Sequence, residues 1–346
     1  MNRVYNILRN LPVSFTRIPL LLLVILVDIL SMPFQLIERM IYRVKIKKEA
    51  IDPNPVFIIG HWRSGTTFLH QLLSKDPQFG YINFYSAMFP NSFLWTENIM
   101  KPVMNKLSLW LRLKIPFFNN IRYDFDFPCE EDTALLNMGS SNSAYWAYAF
   151  PKKAIALFSR TMYFNHQDAK TGKALMNDYQ SLLRKISFKY KGKRLVLKSP
   201  PNTARIQLLI KAFPGAKFIY LDRKPVDIYY SHSKLWKQCL KQYGLQNINQ
   251  TELDHIIMQT MKNMQLQYNK DKILLNNRNL YEVSCEKFLN DPLSTIKEIY
   301  QNLEIPGFCK AEIFIREQIN KSKSYIPFSY QHNAEKIKWV EEKITA

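Results

Sequence analysis

Val56-Phe57-Ile58-Ile59-Gly60-His61-Trp62-Arg63-Ser64-Gly65-Thr66-Thr67 is the stretch on which the fold turns. Its first four residues are β-branched or aromatic, follow the turn-forming Asp52-Pro53-Asn54-Pro55, and stop at a glycine, a pattern that predicts a short buried strand. Beyond the loop, Phe68, Leu69, Leu72 and Leu73 recur at helical spacing, which predicts a helix over 67–74. Strand, glycine-bounded loop and helix in immediate succession form the setting in which backbone amides at a helix N-terminus cradle an anion.

The alternation recurs downstream. Leu195 to Leu197 reads as a strand, Thr203 to Phe213 as a helix and Lys217 to Leu221 as another strand, and a further helix starts near Pro225, whose fixed φ suits a first turn. Strands alternating with helices predict an α/β fold: a P-loop-like parallel sheet flanked by helices, with the loops after its strands gathered at the carboxyl edge. Between them, residues 80 to 190 are aromatic-rich and helical in pattern, a largely helical insertion without another strong strand.

Around that core, 48 Lys plus Arg against 28 Asp plus Glu give a net charge of +20, a field that draws nucleotide phosphates, nucleic acid or an anionic membrane surface. The basic residues are scattered and no zinc-finger or RNP-like pattern is present, so nucleic acid is not expected as a partner. Cys129, Cys239, Cys285 and Cys309 lie far apart without metal-ligand spacing; they read as reduced, cytoplasmic thiols, and no metal is expected.

Near the N-terminus, Ile18 to Phe34 is apolar apart from Asp28 and Ser31, and its 17 residues sit at the short edge of what spans a bilayer. No small-residue cleavage site follows, so secretion is not expected. Two readings stay open: an interfacial helix beside Arg39, Arg43, Lys45, Lys47 and Lys48, placing a cytoplasmic protein at the membrane periphery, or a helix buried on the domain. The expected organisation is an apolar and basic helical segment over 1–50, the α/β domain over 54–330, and a C-terminal helix or tail over 331–346.

The spacing of Gly60 and Gly65 matches a Walker A loop, but Thr66 stands where a nucleotide triphosphatase has its lysine, and the cation inside the loop is Arg63. A kinase or triphosphatase uses that lysine with Mg²⁺ at the β and γ phosphates, so this loop suits another leaving group. A plain capping turn would need neither the arginine nor the doubled threonine.

The loop resembles the 5′-phosphosulfate loop of the sulfotransferases that use 3′-phosphoadenosine 5′-phosphosulfate (PAPS), and within them the branch acting on diverse carbohydrate and lipid acceptors. The resemblance implies that Arg63, Ser64, Gly65, Thr66 and Thr67 hold the 5′-phosphosulfate, Arg63 offsetting charge on the leaving phosphate. Lys217 to Ser231 is similar to the family's 3′-phosphate segment, with Arg223 ending the strand and Ser231 eight residues later on the helix. Leu195 to Asn202 resembles the strand and loop bearing a further lysine, which makes Lys198 a candidate donor to the bridging or sulfuryl oxygens. Relatives often carry histidine where Asn202 stands. Tyr281 to Pro292 is similar to the closing strand and loop, with Glu286 read as structural.

Sulfuryl transfer needs a group to accept the acceptor hydroxyl's proton. Pro128-Cys129-Glu130-Glu131-Asp132 opens an apolar helical pattern and resembles the branch's acidic motif, making Glu131 or Glu130 the candidate base. Carboxylates are favoured at a helix N-terminus whatever their chemistry, and His61 and His70 are rivals by position. The aromatics from Phe84 to Trp95, with Tyr145, Trp146 and Tyr148, belong to core packing for the most part or line an apolar acceptor pocket. The expected acceptor is the hydroxyl of a lipophilic alcohol, such as a sterol or a long-chain or polyprenyl lipid, or else a carbohydrate. The alternatives are a P-loop kinase or triphosphatase and a non-catalytic module binding anionic lipid.

Overall fold

The computed structural model describes residues 2–111, 124–164, 169–322 and 334–345. Contacts divide the chain into two units. One comprises Asp52–Tyr81, Lys193–Lys234 and Thr251–Ala346 and holds the whole sheet: β1 (Val56–Ile59), β2 (Phe79–Gly80), β3 (Arg194–Lys198), β4 (Lys217–Asp222) and β5 (Leu280–Ser284). The strands run in the order β2-β3-β1-β4-β5, every pairing parallel.

All four residues of β1 are fully buried, as a central parallel strand covered on both faces requires. Leu69, Leu72 and Leu73 of the helix Thr66–Leu73 pack into the same core as Ile58, Val196 and Ile219. Register decides what meets at the carboxyl edge. Ile58 lies opposite Lys198, and Ile59 opposite Tyr220, so the loops leaving β1, β3 and β4 emerge side by side. The expected α/β sheet is the observed one.

Two local readings differ. The expected helix over 203–213 divides into a 3₁₀ helix, Pro200–Ala204, and an α-helix, Ile206–Ala212, because the paired prolines start a tight turn that ends at Ala204. The two-residue β2 carries no strand pattern and is defined by its pairing with β3.

The other unit, Met1–Ile51, Ile82–Gly192 and Leu235–Gln250, contains helices and no strand among its described residues. Its longest are Ile18–Lys48, Ala169–Lys189 and Phe93–Trp110. Tyr85, Phe93, Trp146 and Tyr148 are core residues, and Tyr148 packs on Trp236 with ring centroids 4.3 Å apart. The apolar N-terminal segment forms the 31-residue helix Ile18–Lys48, running through Pro33 and well beyond Phe34. The described C-terminal residues form the helix Ala334–Thr345.

Candidate active site

The loop after β1 depends on its two glycines. Gly60 has φ +140°, and a Cβ there would lie 2.6 Å from the Leu221 carbonyl oxygen and 2.7 Å from Ser64 Oγ. Gly65, at φ +93°, would press a Cβ within 3.0 Å of Cys285 Sγ. Burial pushes the Cys285 thiol up to about 11, so it serves as a packing group and not a nucleophile. Between the glycines, Arg63 has φ +73°, a left-handed conformation uncommon for a residue with a side chain and typical of functional loops.

Hydrogen bonds hold the loop in shape. Ser64 Oγ donates to the His61 carbonyl at 2.8 Å, and the Gly60 amide donates to Thr203 Oγ1 at 2.8 Å, tying the loop to the 3₁₀ helix after β3. Ser64 and Thr66 are buried. Lys198, at the end of β3 and 2% exposed, donates through Nζ to Thr67 Oγ1 at 3.3 Å.

The third component arrives from β4 and the helix Pro225–Tyr243. Arg63 Nε donates to Ser231 Oγ at 2.7 Å, and Arg223 donates through its guanidinium to the Arg63 carbonyl at 2.9 Å. Arg223 also lies 3.7 Å from Asp227, one helical turn further on. Arg63, Ser64, Gly65, Thr66, Thr67, Lys198, Arg223 and Ser231 therefore converge in one unit around a glycine-shaped loop. Beside them is a cavity of about 270 Å³ whose lining includes His61, Thr203, Arg223, Ile228, Met261 and Met264. Guanidinium, ammonium and hydroxyl donors beside an apolar hollow suit an anionic ligand that carries a ring.

His61 donates through Nδ1–H to the Trp62 carbonyl, 3.0 Å away, and Trp62 stacks on His232 with ring centroids 5.2 Å apart. Burial lowers His61 to about 4. It lowers His70 to about 3, the Lys198 charge adding to the effect. Both imidazoles are neutral and feebly basic at neutral pH, which weakens them as rival proton acceptors. Asn202, where relatives often have histidine, is fully buried, and its Oδ1 accepts from the buried Arg205 at 3.4 Å.

Glu130 and Glu131 belong to the helical unit. Glu131 opens the helix Glu131–Met138 and is fully buried; Glu130 is the residue before it, makes no side-chain cap, and accepts a hydrogen bond from the Tyr145 hydroxyl. The neighbouring Asp132 does the local structural work, accepting from the Ala144 amide at 2.8 Å. Glu286 lies in the first turn of the helix Cys285–Asn290. The Thr203 link to Gly60 and the left-handed Arg63 are not expected from sequence; a threonine two residues after a Pro-Pro pair gives no signal of its own.

The sheet unit is thus a parallel α/β sheet with a glycine-dependent loop after β1 and a second arginine after β4. The chain belongs to the sulfotransferase family, whose profile matches residues 55–309, and it is an enzyme of that class. It is 27% identical over 309 residues, 88% of this chain and 76% of the relative, to omega-hydroxy-beta-dihydromenaquinone-9 sulfotransferase Stf3 of Mycobacterium bovis and of Mycobacterium tuberculosis. Among solved structures, sulfotransferase STF1 of Mycobacterium tuberculosis H37Rv aligns with TM-score 0.66 at 19% identity, covering 90% of this chain and 81% of that one. STF9 of Mycobacterium avium aligns with TM-score 0.66 at 17% identity, covering 86% and 77%. Both share the fold.

Proposed function

We propose that this sulfotransferase moves the sulfuryl group of PAPS onto the hydroxyl of a lipophilic alcohol. The observation that carries the donor assignment is the convergence of Arg63, Lys198, Arg223 and Ser231 on one glycine-shaped loop. Two phosphate-sized anions need two sets of donors. The loop amides with Thr67 and Lys198 suit the 5′-phosphosulfate, and Arg223 with Ser231 suits the 3′-phosphate.

In the reaction, the acceptor oxygen attacks sulfur in line while the bond from sulfur to the 5′-phosphate oxygen breaks. The hydroxyl proton passes to Glu131 or Glu130, and the electron pair leaves with 3′-phosphoadenosine 5′-phosphate, its charge offset by Arg63 and Lys198. Fixed cations balance the leaving group, so EDTA should leave turnover unchanged. Activity lost in EDTA and restored by Mg²⁺ would move the reading to kinase-like chemistry.

The acceptor assignment draws support from the relative named for a hydroxylated menaquinone, at 27% identity. Acceptor screening should therefore begin with long-chain and polyprenyl alcohols, with sterols and carbohydrates as comparison sets. The donor test needs no acceptor. Calorimetry should detect binding of 3′-phosphoadenosine 5′-phosphate over ATP and ADP, and Arg223→Ala should weaken it by about 10- to 100-fold. A preference for ATP, or indifference to the 3′-phosphate, would overturn the assignment.

A further inference from the structure

The helix Ile18–Lys48 carries its polarity inside out. Between Ile18 and Glu38 its polar side chains are Asp28, Ser31, Gln35 and Glu38, spaced 3, 4 and 3 residues apart, and all four lie on the face covered by the rest of its unit. Asp28 pairs with Arg3, and Glu38 pairs with Lys185. Glu38 also accepts the Leu94 amide at 2.7 Å, while Gln35 donates to Ser31 Oγ at 2.7 Å. The opposite face, including Leu22, Leu23, Leu26, Ile29, Leu30 and Leu36, is exposed, Leu30 at 62%. A helix packed on a soluble protein has the reverse arrangement.

The neighbouring helix Phe93–Trp110, whose Trp95 ring meets Phe34 at 5.9 Å, shows the same inversion. Thr96, Glu97, Lys101, Asn105 and Ser108 turn inward, whereas Ile99, Val103, Leu107, Leu109 and Trp110 are exposed, Trp110 at 78%. Asn98 and Lys106 are the polar residues among them. Large exposed aliphatic surface on a folded domain marks a surface with a partner.

We propose that these two helices dock in the plane of an anionic lipid bilayer, their aliphatic faces in the acyl boundary and Arg39, Arg43, Lys45, Lys47 and Lys48 at the head groups. The occupant follows from chemistry. The exposed side chains between Ile18 and Ile37 offer no polar atom, whereas a protein partner's interface needs about one hydrogen bond per 100–200 Å². A second copy would bring another net +20 toward the first, and an anionic surface attracts that charge. The basic residues follow the aliphatic strip on the last turns of the same helix, where exposed cations are attracted to anionic head groups.

The 34 residues Phe15–Lys48 are long and apolar enough to cross a membrane by length and composition, with a mean hydropathy of 2.4 over their most apolar stretch. A crossing is disfavoured by the covered face. Glu38 is the one buried residue described in this helix, but the covered face holds the Asp28–Arg3 and Glu38–Lys185 ion pairs, charges that a crossing would have to carry into the hydrocarbon. The inference does not depend on the sulfuryl-transfer reading.

The test is flotation of the full chain with phosphatidylcholine vesicles, with and without 30% phosphatidylglycerol. Binding to the anionic vesicles, weakened at high salt and reduced at least tenfold in Leu26→Glu/Leu30→Glu, is the expected result. That variant should keep the wild-type circular dichroism and its affinity for 3′-phosphoadenosine 5′-phosphate, which separates loss of docking from loss of fold. Flotation unchanged by the two glutamates, equal binding to neutral vesicles, or no binding at all would overturn the proposal. So would sedimentation as a dimer that the same variant dissociates, since a second copy would then cover this face.

Discussion

The loop after β1 and the helix Ile18–Lys48 handle polarity in opposite ways. Around the loop, an apolar sheet is buried and donors are presented at its edge, where Arg63, Arg223 and Ser231 link across two segments. In the helix pair, ion pairs are buried and leucines are presented, with Glu38 2% exposed and Met40 84% exposed. One region presents hydrogen-bond donors at its surface and the other presents hydrocarbon. The contrast shows why the side on which charge is placed says more about a partner than the amount of charge does.

The comparison can be broken most forcefully at Glu38. If its carboxylate is the counter-charge that lets Lys185 stay inside the helical unit, Glu38→Ala leaves an unpaired buried ammonium. The expected loss is about 3–5 kcal/mol of unfolding free energy. Urea denaturation checks it, with Lys185→Met/Glu38→Met as the partner measurement. The double variant should recover part of the loss, because an apolar pair of similar volume needs no counter-charge, while the Leu94 amide still lacks the acceptor that Glu38 gave it. A neutral Glu38→Ala would mean that the inverted polarity is incidental.

The loop region is sharpened by kinetics. Arg63→Ala should lower kcat by about 10²–10³-fold, the scale on which a donor aimed at developing charge contributes. Glu131→Gln should lower it by about 10²–10⁴-fold without a matching change in nucleotide affinity, as removal of a base does. Activity surviving Glu131→Gln and lost in Glu130→Gln would move the base by one residue. Survival of both would remove the acidic pair from the chemistry and leave Asp132's hydrogen bond to Ala144 as the reason for a charged helix start here.

What could be read from the sequence follows from how local each determinant is. β1, β3 and β4 each follow from four to six consecutive residues, and the loop from fixed spacing between two glycines. β2 escaped because two residues carry no period, and their extended shape comes from pairing with β3. The left-handed Arg63 is invisible in a residue string, since nothing but the closed loop imposes it. The sequence marks Ile18 to Phe34 as the apolar run inside a helical segment expected over 1–50, without fixing where one helix begins and ends. In the structure the helix continues through Pro33, and Asp28 is turned onto Arg3. The site residues Arg63, Lys198, Arg223 and Ser231 were reached through resemblance, because their meeting depends on register between strands far apart in sequence.

The smallest expected effect concerns the histidines beside the loop. His61 is lowered to about 4 and His70 to about 3, each chiefly by burial. An unfolded chain titrates them near 6.5, so between about pH 6.5 and 4 the unfolded state binds protons that the folded state refuses. Stability must then fall as pH falls through that window, by about 1.4 kcal/mol per pH unit for each histidine once the unfolded form is protonated. Urea midpoints between pH 5 and 7.5 measure the slope. His70→Gln should reduce it by one histidine's share, and an unchanged slope would contradict the burial of this group. The same lowered values predict that no limb near pH 6.5 in the rate profile will depend on His61 or His70. A limb that His61→Gln abolished would put a titrating imidazole back in the loop, and the contrast with the helical unit's buried charges would lose one of its supports.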